Sequence, residues 1–152
     1  MIDQIKLFFE QHLALAAPNQ LPETKLQLAA AVLFLEMMAM DDKIAISEQD
    51  KIRSILQTHF KLSVEQADKL TELAEQERKQ ATDYFQFTSL VNKAYSQEQK
   101  TQLIKLLWQI AFADGHLDLN EEYFVRKIAD LLYVPHIDFI MTKNQVEEAA
   151  PS

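Results

Sequence analysis

Glycine occurs once in these 152 residues, at Gly115, and proline only four times. Sheet-rich proteins turn every few residues and rely on those two residue types to do it. A chain so poor in them is confined to long helices joined by few corners. Its common residues agree, since Leu, Ala, Gln, Glu and Lys all favour helix. The length suffices for one sizeable hydrophobic core, so the expected fold is all-α.

Helical periodicity divides the chain into eight expected helices. The first covers 3–16, with Ile5, Phe8, Phe9, His12 and Leu13 on one side. The second, over 23–40, is apolar nearly all round from Leu26 through Phe34 to Met40, as a helix buried at the centre of a bundle would be. A third begins at Ser47 and runs to about residue 60. Capping boxes at Ser63–Gln66 and Ser96–Gln99 open the fourth and sixth. Thr82 and Asp83 can cap the fifth, which carries Phe85, Phe87, Leu90 and Val91. Asn120 caps the seventh, and Pro135 sits in the first turn of the eighth. Residues 1–145 read as one helical domain, and the small polar stretch 146–152 as a disordered tail.

Charge and composition exclude several function classes. With 23 acidic against 15 basic residues the net charge is −8, so the chain lacks the basic stripe that nucleic acids require. Without cysteine it can form no disulfide, thiol nucleophile or thiolate metal site. No apolar run approaches the roughly 18 residues of a membrane span. No leader peptide is visible, and the chain reads as cytoplasmic. Neither a glycine-rich phosphate loop, a nucleophile elbow nor an HExxH pair is present, so nothing marks an enzyme.

The most informative pattern is internal. Met40-Asp41-Asp42-Lys43-Ile44-Ala45-Ile46-Ser47-Glu48 aligns without gaps on Ala113-Asp114-Gly115-His116-Leu117-Asp118-Leu119-Asn120-Glu121, 73 positions on. The register continues through Ile52/Val125, Arg53/Arg126 and Ile55/Ile128, and on to Phe60-Lys61-Leu62-Ser63 over Tyr133-Val134-Pro135-His136. Two three-helix units related by duplication are expected, with the first and fifth helices packed around them.

Each copy places an acid at the end of one helix and another in the first turn of the next. Glu48 and Glu121 suit a helix start, whereas Asp41 and Asp114 sit against the negative end of a dipole. Alternating Ile44/Ile46 and Leu117/Leu119 should pin the loop to the core. Two readings of the acids stay open. Asp41 with Glu48, and Asp114 with Glu121, can converge on a divalent cation across the corner. Alternatively Arg53 and Arg126, each five residues past its Glu, neutralise purely structural acids. Oxygen ligands without thiolates select a hard cation, Ca²⁺ first and then Mg²⁺ or Mn²⁺, while His116 and His136 keep Zn²⁺ open. The loop is no EF-hand: counted from Asp114, its sixth position is Leu119 and its twelfth Val125.

The segment Ala111-Phe112-Ala113-Asp114-Gly115-His116-Leu117 with Glu121, its degenerate copy Met40-Asp41-Asp42 with Glu48, and Leu131-Leu132-Tyr133-Val134-Pro135 resemble the TerB family of tellurite-resistance proteins. The resemblance spans roughly 26–143. It implies an all-helical, internally duplicated, non-enzymatic domain with a metal-binding role for Asp41, Glu48, Asp114 and Glu121, acting in a stress response. Asp42 and Lys43 replace the glycine corner in the first copy. A protein partner is the alternative expectation; the Met37-Met38-Met40 cluster has the chemistry of an adaptable groove, but core filling is the favoured reading of it. The oligomeric state is left open.

Overall fold

The computed structural model describes residues 21–39, 46–81, 83–113, 115 and 117–149. All regular structure among them is helical: α1 Leu21–Ala39, α2 Ile46–Thr58, α3 Val64–Gln80, α4 Phe85–Ala94, α5 Gln97–Ala111, α6 Leu119–Leu131 and α7 His136–Ala149. The helix expected over 3–16 lies outside the described residues.

As its unbroken apolar composition requires, α1 is the central helix. Leu28 through Leu35 and Met37 are all buried, and α1 packs against α2, α3, α4, α5 and α6. Burying a side chain such as Phe34 contributes about 1.5–3 kcal/mol. Met37 is part of this core; Met38 packs against it and also lines a surface cleft with Leu35, Ile52 and Arg53, and Met40 lies outside the described residues. The largest helix–helix interfaces are α1 with α3 and α5 with α7, the first and third members of each expected unit.

Local signals set most boundaries. Ser63 and Ser96 each accept a bond from the amide three residues on, at 3.1 Å, and the Gln66 and Gln99 side chains return it. Each such cap contributes about 1 kcal/mol. At the start of α4 the cap position falls on Tyr84, which makes no side-chain cap bond; Asp83, one residue before it, accepts from the Phe85 amide at 2.9 Å, and Thr82 lies outside the described residues. The cap of α6 differs from expectation: Asp118, not Asn120, takes the position, accepting from the Asn120 amide at 2.7 Å. Helix α7 also runs past residue 145 to Ala149, because Val146 is drawn into the core.

Helices α2 and α6 have the same length and a constant offset of 73, and their buried faces superimpose: Ile52, Ile55 and Leu56 answer Val125, Ile128 and Ala129. At the next turn the register changes. Positive φ falls on Lys61 (57°) and Tyr133 (58°), and the following helices start at Val64 and His136, all 72 apart. Buried Ala67, Leu70 and Ala74 correspondingly match buried Phe139, Thr142 and Val146. The gapless alignment therefore stops at the end of α6, where the second copy is one residue shorter.

Candidate metal corner and its surroundings

The corner between α5 and α6 is built from the residues of the second motif. Helix α5 ends with Phe112 folded back, its amide donating to the Trp108 carbonyl at 2.9 Å. Gly115, at φ 85°, returns its amide to the Phe112 carbonyl at 2.9 Å. This left-handed conformation explains why the one glycine stands here. Leu117 packs against the core, but Leu119 is 81% exposed, because it is the first residue of α6 and faces outward. Only one of the two loop residues expected to pin the corner does so.

Glu121 occupies the first turn of α6 and is 1% exposed. A buried carboxylate is costly unless charge or hydrogen bonds compensate it, and the positive end of the helix dipole supplies part of that. Its neighbour Glu122 is committed elsewhere, with Oε1 3.3 Å from Lys143 Nζ on α7. Asp41 and Asp114 lie outside the described residues; Glu48 is in the first turn of α2, with its side chain outside them. Among the described residues no group of three or more His, Asp or Glu side chains is gathered for a metal. Of the four candidate ligands, Glu121 is the one whose burial is described, and its oxygen chemistry suits a hard cation.

The two arginines do not behave alike. Arg53 reaches Asp68 on α3, with Nη2 at 2.9 Å and Nε at 3.1 Å from Oδ1. Arg126 is exposed and makes no ion pair among the described residues. Of the histidines, His136 is exposed and rests on the Phe139 ring at 5.7 Å, while His116 lies outside the described residues.

Behind the corner sits Trp108, fully buried, with ring centroids 6.2 Å from Phe112 and 5.1 Å from Phe139. The Lys143 ammonium lies 5.8 Å from its ring centre, within cation–π range.

A second polar cluster lies around Arg78 in the last turn of α3. Arg78 Nη2 lies 2.7 Å from Glu75 Oε1, and its Nη1 lies 3.4 Å from Glu36 Oε1 on the central helix. Tyr84 donates its hydroxyl to Glu36 Oε2 at 3.4 Å. The hydrogen bond from Arg78 holds the Glu75 carboxyl below its ordinary range, and the same bond raises Arg78. Burial, helped by the Glu36 charge, pushes the Tyr84 phenol up. The Glu75–Arg78 spacing of three is a readable helix pair; Glu36 joins only through the packing of α1 on α3.

The family model described as tellurite resistance protein TerB matches residues 27–144. No curated protein and no solved structure matches the chain.

Proposed function

Since the chain belongs to the TerB family, matched over residues 27–144, we propose that it is a non-enzymatic, cytoplasmic binding module that holds a divalent cation at the α5–α6 corner in a stress-response role. Glu121 is the inner carboxylate of that site and Asp114 its partner from the loop. Asp41 and Glu48 form the weaker first copy, since Asp42 and Lys43 replace the glycine corner there. Ca²⁺ is the favoured ion, for an all-oxygen set.

The observation that carries this reading is a carboxylate 1% exposed in the first turn of a helix, seven residues after a second acid and just past a glycine corner. A buried carboxylate must be compensated by hydrogen bonds or by an opposite charge, and a cation held between Glu121 and Asp114 would supply that charge. The test is thermal unfolding of metal-stripped protein with Ca²⁺, Mg²⁺, Mn²⁺ and Zn²⁺ added one at a time. Ca²⁺ at 100 times its dissociation constant should add about 2.7 kcal/mol, several degrees at this size, and Asp114→Asn/Glu121→Gln should abolish the shift. Indifference to every ion would sink the cation reading.

A second reading, a protein-interaction domain with structural acids, draws on the outer face of α6. Leu119 and Tyr123, one turn apart, are 81% and 69% exposed. Indifference to metals together with loss of partner binding in Tyr123→Ser would favour it.

A further inference from the structure

The surface of this acidic protein contains a cleft of about 430 Å³ whose charged lining, among the described residues, is entirely basic. Lys51 of α2 and Lys105 of α5 stand on its walls, with Gln109 of α5 and Gln145 of α7 beside them. Phe112, Ala113, Val146 and Ala149 supply apolar surface, and Phe112 and Val146 are themselves buried. Other clefts mix their signs: one beside Glu36 combines Asp83 with Lys127, and one beside Arg53 combines Asp68, Glu72 and Glu75 with Lys79. Neither Lys51 nor Lys105 makes an ion pair or hydrogen bond among the described residues, although both are half-buried. The exposed acids of the last turn of α7, Glu147 and Glu148, do not line the cleft.

Two lysines on the walls of one concavity concentrate positive charge there, although Lys105 also borders a cleft holding Glu98 and Asp138, and an anion between the lysines lowers the cost of that concentration. Each lysine offers three donors and each glutamine two, so an oxyanion finds both charge and hydrogen bonds there. The volume lies within the range of small-molecule sites, about 300–1,000 Å³, and the walls come from three separate helices. A compact ligand fits such a space better than an extended chain does. We propose that this cleft binds a small organic anion, a carboxylate or phosphate head on a short apolar body, with Lys51 and Lys105 holding the head and Phe112 and Val146 the body. Among its described lining residues none is a candidate cation ligand, and anion binding is read separately from any effect of metal ions.

Amide-resolved NMR titration of the full chain tests it, with hexanoate, phenyl phosphate and inorganic phosphate as separate probes. Saturable shifts are expected near Phe112–Ala113 and Gln145–Ala149 with one of the two organic anions, the preferred one identifying the head group. Affinity should fall at least about tenfold in Lys51→Gln/Lys105→Gln, a loss typical of a charge-assisted pair, and stay unchanged in Lys93→Gln on exposed α4 surface. If the double variant does not fold, the two single variants are read instead, each expected to weaken binding. Failure of every probe to saturate, or undiminished binding without the lysines, overturns the proposal. Equal binding of inorganic and phenyl phosphate overturns the apolar part of the ligand.

Discussion

Lys143 joins three helices with one side chain: its ammonium lies 3.3 Å from Glu122 at the start of α6 and 5.8 Å from the centre of the buried Trp108 ring on α5. The pair is partly shielded, with 23% and 36% of the two side chains exposed, so it is worth more than an open surface bridge. Lys143→Ala should lower stability by about 1 kcal/mol, counting the lost stem packing as well as the charge. Urea unfolding at low and high salt checks this, the difference from the parent shrinking as salt screens the pair. Trp108 is the sole tryptophan, so its emission should shift in the same variant.

The cluster around Arg78 predicts opposite effects at the two ends of the pH scale. Glu75 is held below its ordinary 4.5, so its stabilising contribution is present above that value and lost as pH falls through the lowered one. Arg78→Leu should flatten the acid limb of Tm against pH below about 4.5. Tyr84 is raised above 10.0, so its contribution is present below that value and disappears as pH climbs through the raised one. Tyr84→Phe should remove that part of the alkaline loss and leave the acid limb unchanged.

Equivalent positions in the two units should respond alike to small cavities. Ile55 and Ile128 are 2% and 0% exposed at matching places on α2 and α6. Ile55→Val and Ile128→Val should each cost about 0.5–1.5 kcal/mol by urea unfolding. A value near zero at one of them would mean that its half is loosely packed.

Backbone conformation gives a paired prediction with opposite signs. Lys61 holds a left-handed φ of 57°, whereas Gly115 holds φ 85° at the candidate metal corner. Lys61→Gly should stabilise the protein by a few tenths to about 1 kcal/mol, since glycine adopts that conformation without steric cost. Gly115→Ala should destabilise it by about 1 kcal/mol or more. Differential scanning calorimetry of both variants measures the two signs directly.

Helix identity was legible in the sequence because apolar spacing and serine caps are local. Ser63 and Ser96 act as their capping boxes require, and the seamless apolar run of α1 marks the centre of the bundle. The second motif was legible as a corner, with Gly115 at its left-handed position. Less readable was whatever depends on competition between neighbours. Asp118 displaced Asn120 as the cap because α6 begins two residues earlier, which placed Leu119 at its first, outward-facing position. Glu36 meets Arg78 only after α1 and α3 have packed, and no spacing in the chain announces a contact across 42 residues.

The change of offset from 73 to 72 falls in a turn, and its location has a consequence for how the two halves can diverge. One residue removed within a helix rotates everything beyond it by about 100°, which would carry buried positions to the surface. Removed between α6 and α7, it leaves Phe139, Thr142 and Val146 facing inward as Ala67, Leu70 and Ala74 do in the other half. A single-codon deletion at such a place costs the fold little. Drift in length can therefore accumulate at the corners while the phase of each helix stays under selection.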